Sequence, residues 1–178
     1  VIFNKRDNVG AQVMTIYSDS GGYLQNSSTV QFDNNDQYHY QNLLYDSNNN
    51  TFVNVYRNGT HSDTGEERSF TNNSSGTITL NSNIHQYDPG VVEYVSAAYD
   101  TDAGKIVISY EDRGNSDKGT AIVGTPGSGY NSMSFGTPVI FEADPDQLTD
   151  AFYNADPTNP RVVISYNNDT DSDCQAIV

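Results

Sequence analysis

Two short acidic runs carry the residue types and spacing that a hard cation would use. Asp100-Thr-Asp102-Ala-Gly104 and Asn168-Asp169-Thr-Asp171-Ser-Asp173 set oxygen donors at alternate positions, the pattern in which calcium collects carboxylate and carbonyl oxygens. Neither completes a calcium loop. The first lacks a later bidentate carboxylate, and the second lacks the glycine of the sharp turn. Asp100, Asp102, Asp169, Asp171 and Asp173 are the candidate metal ligands and calcium is the one cofactor they suit; solvated turns are the competing reading. His39, His61 and His85 stand near no cysteine or paired carboxylate at zinc spacing, so solvated histidine is the expectation for all three.

The same inspection finds little to support catalysis. A G-x-S-x-G elbow is missing, and Gly124-Thr-Pro-Gly-Ser128-Gly129 has no following lysine to make it a phosphate cradle. Asp144 with Asp146, or Glu111 with Asp112, could serve as glycosidase carboxylate pairs, yet such pairs arise readily in so acidic a chain. With no tryptophan, a sugar-stacking platform would have to come from tyrosine. Tyr17, Tyr23, Tyr38, Tyr40, Tyr87, Tyr94 and Tyr130 are the tyrosines near loops, with core packing as the competing use. No catalytic residue is expected. Sequons fall at Asn26, Asn49, Asn58, Asn72, Asn73 and Asn168, candidates for glycosylation on surface loops.

Charge narrows the partners. Eight Lys and Arg stand against 23 Asp and Glu, a net charge of −15, which leaves no cationic surface for phosphates. Nucleic acid is excluded as a partner, and no apolar run approaches the roughly 20 residues of a membrane span. The single Cys174 allows no internal disulfide.

Polarity that comes from Asn, Ser, Thr and Asp favours turns over helix, while runs such as Lys105-Ile-Val-Ile-Ser-Tyr110 are β-branched and aromatic. An all-β chain follows. Leu44-Tyr45-Asp46 through Tyr56 lines up with Ala98-Tyr99-Asp100 through Tyr110 at an offset of 54, and a further 54 reaches Tyr153, which opens the segment ending in Arg161-Val-Val-Ile-Ser-Tyr166. The expectation is tandem four-stranded antiparallel units with a 54-residue period, propeller-like or stacked linearly. The units are approximately 1–36 (partial), 37–90, 91–144 and 145–178 (partial). Strands are predicted near 43–46, 51–56, 95–99, 105–111, 119–125, 133–141, 149–153 and 161–166, with no helix beyond two turns. The repeated tyrosines Tyr45, Tyr99, Tyr153, Tyr56, Tyr110 and Tyr166 are expected to be mainly buried. Asn54, standing where Ile108 stands in the next unit, is the evident misfit.

Applied to the ends, the frame makes Val1-Ile2-Phe3 a second strand without its first, and Gln175-Ala176-Ile177-Val178 a third strand without its fourth. Those residues are the expected assembly edges.

Tyr99 to Phe141, above all Tyr110-Glu-Asp-Arg-Gly-Asn-Ser-Asp-Lys-Gly-Thr-Ala-Ile-Val-Gly-Thr125 with Ser134-Phe-Gly-Thr-Pro-Val-Ile-Phe141, resembles a tandem propeller-like repeat of structural and tail-associated proteins of aquatic bacteriophages and of large bacterial surface proteins. The resemblance implies an extracellular or virion-surface scaffold and brings no catalytic residues with it. The expected function is a non-enzymatic module that polymerises head to tail into a filament, fibre or virion appendage. A glycan-binding propeller or adhesin, with cell-surface glycans as partners, is the alternative.

Overall fold

The computed structural model describes residues 2–4, 11–18, 24–31, 38–168 and 173–178, and for 2–4, 11–18, 24–28 and 144–148 the backbone alone. Every described element is a strand or a single 3-10 turn, and all pairing is antiparallel. Strands β1 (Ile2–Asn4), β2 (Ala11–Ser18) and β3 (Leu24–Gln31) form the first sheet. The second contains β4 (Tyr38–Asp46), β5 (Thr51–Asn58), β6 (Thr64–Asn72) and β7 (Ile78–Asp88) in chain order. The third starts with β8 (Val92–Asp100), β9 (Lys105–Asp112) and β10 (Lys118–Pro126), the last carrying the short β11 (Met133–Phe135). It continues through β12 (Val139–Asn154), β13 (Arg161–Asn168) and β14 (Asp173–Ile177), and no sheet closes into a barrel.

The third sheet is two sheets joined by one strand. β12 pairs with β10 from Val139 to Pro145 and with β13 from Asp146 to Asn154. Separate strands at 133–141 and 149–153 are therefore corrected. Gly136 and Pro138 interrupt the first, the Gly136 amide donating to the Val123 carbonyl at 2.9 Å while Pro138 offers no donor. From Val139 onward the chain runs unbroken into the next pairing. β4 and β8 begin earlier than their sequence predicts because each contains a bulge. Register shifts lie at His39/Asn42 and Glu93/Ser96, where Tyr40 and Tyr94 adopt φ of 50° and 48°; a bulge shifts the period-2 signal.

Both faces of the central strands are covered. In β9, Ile106, Ile108 and Tyr110 on one face and Ser109 and Glu111 on the other are all at most 2% exposed. Between the second and third sheets lies the main core, with Leu44, Val53 and Val55 from one side and Val95, Ala97, Ile106, Ile108 and Tyr110 from the other. Tyr38, Tyr56, Phe70 and Ile78 form a second core, where Val30 of β3 packs. β12 covers the remaining face: the Ser96 hydroxyl donates to Asp150 Oδ1 at 3.1 Å, and the Thr149 hydroxyl to the Tyr94 carbonyl at 2.5 Å. The closest inter-sheet approaches join β4 to β8 and β8 to β12.

The tyrosine expectation is corrected at one position. Tyr56, Tyr99, Tyr110 and Tyr166 are buried and Tyr153 is half-buried, but Tyr45 is 45% exposed. Its ring lies on Phe52, with centroids 4.9 Å apart, and its hydroxyl donates to Asn50 Oδ1 at 2.7 Å, so the polar turn beside it holds the ring at the surface. Asn54 is fully buried despite its amide. Its Nδ2 reaches Gln41 Oε1 at 3.5 Å, while its Oδ1 has no hydrogen-bond partner.

Candidate functional site

Adjacent residues of a strand point to opposite faces, so Glu66 and Glu67 of β6 place one carboxylate in each core. Both are nearly solvent-free, which requires specific partners because burying a charge is costly. Glu66 is well supplied. Its Oε2 accepts from the Asn58 amide at 2.7 Å and the Tyr56 hydroxyl at 3.3 Å, and its Oε1 lies 2.7 Å from His61 Nδ1. Asn58 Oδ1 also caps the 3-10 turn at 59–61 by accepting from the Thr60 amide at 3.0 Å. The network ties the β5–β6 turn to the second core.

Glu67 is less well served. His85 Nδ1 contacts Oε1, but Oε2 has no hydrogen-bond partner. Burial pushes the Glu67 carboxyl up to about 7, with His85 acting in the opposite direction. In the third sheet the same registers hold Thr120 and Ala121, opposite Tyr110 and Ser109 as Glu66 and Glu67 are opposite Tyr56 and Val55. The two carboxylate–histidine pairs are thus particular to the second sheet. The sequence predicts solvated histidines, which holds for His61, exposed even as it contacts Glu66, but not for His85, whose ring is largely buried against Glu67. Two consecutive glutamates in a strand with one buried face each were the available signal.

Two tyrosine–aspartate clamps cross the main core. Tyr130, at φ 56° and fully buried, donates its hydroxyl to Asp46 Oδ2 at 2.7 Å; Tyr110 donates to Asp88 Oδ2 at 2.9 Å. Burial opposes the Asp46 charge. The Tyr99 hydroxyl beside it, which does not meet hydrogen-bond geometry, together with bonds from Asn49 and Tyr130, outweighs burial and holds the carboxyl below the usual aspartate range. Burial and the neighbouring carboxylates push the Tyr110 and Tyr130 phenols above their ordinary value.

Beside the Tyr130 loop is a cleft of about 310 Å³. Thr51, Ser69, Thr71, Thr79 and Asn81 line it from the second sheet, and Gly129 and Asn131 from the loop. Asn81 Nδ2 holds the loop by donating to the Tyr130 carbonyl at 2.8 Å, and Asn83 Nδ2 donates to the Asn131 carbonyl at 2.8 Å. No ionisable side chain lines this cleft.

Among the described residues the candidate calcium ligands do not converge. Asp100 Oδ1 accepts from the Asp102 and Ala103 amides at 3.0 and 2.9 Å, so this carboxylate shapes its own turn, and Asp102 is exposed. Asp169 and Asp171 lie outside the described residues, and Asp173 is exposed at the start of β14. Among the described residues no three His, Cys, Asp or Glu side chains meet as a metal set. Of the carboxylate pairs, Glu111 and Asp112 are neighbours in β9 and face opposite ways, while the side chains of Asp144 and Asp146 lie outside the description.

The sequons divide by burial. Asn58 and Asn168 are buried, and Asn58 spends its amide on Glu66, so neither can carry a glycan in the folded chain. Asn49 and Asn73 sit on exposed turns, Asn73 Oδ1 accepting from the Ser75 and Thr77 amides, and Asn72 is half-buried at the end of β6. Asn26 falls in β3. Of the loop tyrosines, Tyr38, Tyr87 and Tyr130 are core residues; the rings of Tyr40 and Tyr94 meet at a tilt with centroids 5.1 Å apart, and the Arg57 guanidinium lies 5.7 Å from the Tyr40 ring centroid. Tyr23 and the Tyr17 side chain lie outside the description. Ile2 and Phe3 lie in edge strand β1, and Gln175, Ala176 and Ile177 in edge strand β14 with exposed Val178 after it; Val1 is outside the description.

No protein-family model matches the chain, and no curated protein matches its sequence.

Proposed function

We propose that the chain is a non-enzymatic structural module built of tandem four-stranded units with a 54-residue period. The units stack on their inner strands, as in a propeller or a linear array, and assemble with further copies into an extracellular fibre or virion appendage. The observation that carries this reading is the recurrence of one distortion. The register shifts at His39/Asn42, Glu93/Ser96 and Gln147/Asp150 stand 54 residues apart in successive inner strands. The 3-10 turns at 59–61 and 113–115 keep the same interval, as do the left-handed pairs Ser62-Asp63 and Ser116-Asp117. Stacked repeats bury apolar surface only against neighbours, so among the described residues the first and last sheets each keep a face for a partner. The sequence resemblance to phage and surface-protein repeats supports a location outside the cell. Gel filtration and electron microscopy of the intact chain, in calcium and in chelator, test the reading, with polymers as the expected result. Removal of Gln175 to Val178 should weaken them while β8–β10 stay folded.

The uncharged cleft supports a second reading, a glycan-binding module. Hydroxyl and amide groups without charge suit a neutral sugar rather than an ionic ligand. Binding of neutral oligosaccharides that perturbs Ser69 and Asn131 resonances, with no polymer formed, would favour it.

A further inference from the structure

Leu44, Ala98 and Phe152 occupy one register of the inner strands, opposite Val53, Val107 and Val163. Leu44 is 9% exposed and Ala98 6%, because the next sheet lies over each; Phe152 is 67% exposed. The register that elsewhere forms the inter-sheet contact here presents a large aromatic side chain to solvent. Phe152 is not isolated. Val163, Ser165 and Ala176 share its face by pairing register, and Val178 beyond β14 is 71% exposed. The opposite face of this sheet is already used, with Ile164 and Tyr166 buried. At the other end of the stack, the β1–β3 sheet packs on the second sheet through Val30, and among the described residues no sheet covers its second face.

We propose that the Phe152 face is the assembly contact: it stacks on the outer face of the β1–β3 sheet of a second copy, continuing between chains the stacking that joins sheets within one. This rests on the structural-module reading and deepens it, since it assigns association to a sheet face rather than to the edge strands β1 and β14. A contact between two different faces is heterologous and propagates or closes into a ring. A second copy is the occupant by continuity, since the two interfaces inside the chain use this register and the third copy of the register is open. The acidity of the chain opposes close approach, so salt that shortens the screening length should favour the contact.

Sedimentation velocity of the intact 178-residue chain in moderate salt over a wide concentration range tests this, with Phe152→Asp, Phe152→Leu and the chain lacking Gln175 to Val178 alongside. Circular dichroism and melting confirm that each is folded. The expected result is association of the wild type, retention in Phe152→Leu, and weakening by about a hundredfold in Phe152→Asp, the scale of one buried Phe side chain. Association of Phe152→Asp at wild-type strength, with loss only on truncation, overturns the face assignment and leaves the structural-module reading standing on its edges. A wild type that stays monomeric throughout overturns both.

Discussion

The Tyr130 hydroxyl donates to Asp46 Oδ2 at 2.7 Å across 84 residues of chain, so a loop of the third sheet is fastened to the inner-strand turn of the second by one buried, charge-assisted hydrogen bond. Asp46 in turn accepts from the Asn48 and Asn49 amides. The bond therefore links the turn geometry of one sheet to the covering loop of the next. Tyr130→Phe removes the donor with little change of shape and should cost about 1.5–3 kcal/mol, the range for a hydrogen bond to a charged group. Urea melts at pH 7 read this as a lower midpoint at unchanged slope; a shift under about 0.5 kcal/mol, typical of surface changes, would show that the clamp does not hold the sheets.

Glu67 makes stability depend on pH in an unusual direction for a carboxylate. Its folded value of about 7 lies above the ordinary 4.5, so the folded chain binds this proton more tightly than the unfolded chain. That contribution is complete below pH 4.5 and is lost as pH rises through about 7. Glu67→Gln keeps an acceptor for His85 without the charge. It should flatten the fall in stability between pH 5 and 8 and leave the protein at least as stable as wild type at pH 8. A variant that is less stable at pH 8, with the slope unaltered, would assign Glu67 a stabilising charge instead.

The repeated tyrosines should separate by burial. Tyr110→Ala, at a fully buried ring hydrogen-bonded to Asp88, should cost about 3–5 kcal/mol. Tyr45→Ala, at the half-exposed ring of the equivalent hairpin, should cost under about 1 kcal/mol. Equal losses in parallel denaturant melts would contradict the environments described.

Gly65 is needed for the Tyr87 ring of the neighbouring strand to lie close over β6. A Cβ built there falls 2.3 Å from Tyr87 Cε2 and 2.5 Å from Cζ, and Tyr87 is itself buried against Tyr110, with ring centroids 5.4 Å apart. Gly65→Ala should destabilise by about 1–3 kcal/mol through overpacking. Tyr87→Leu in the same chain should recover part of the loss, measured as a double-mutant cycle.

Much of the architecture is legible in the residues because burial on both faces leaves a dense apolar record. Lys105 to Tyr110 and Arg161 to Tyr166 read directly as strands, and the turn residues Asp46, Asp100 and Gly104 mark where they reverse. The third strand of the second sheet is harder to read: Thr64–Asn72 is polar along most of its length, since its two glutamates are buried by pairing rather than by apolarity. The bulges at Tyr40 and Tyr94 hide the starts of β4 and β8, because one extra residue inverts the alternation. Side-chain partnerships such as Glu67 with His85, 18 residues apart, depend on register and carry no local signature. At the first acidic run, spacing alone did not separate a cation site from a turn, and Asp100 uses its Oδ1 on the amides of its own turn.

Electron microscopy of the intact chain in moderate salt tests the central claim most directly. The account predicts linear or ring-shaped assemblies in which sheets continue the stack from one copy to the next at the spacing of packed sheets, about 10 Å, with the Phe152 face inside each junction. Dispersed single particles at concentrations far above those used for the variants, or assemblies in which the Phe152 face looks onto solvent, would contradict it.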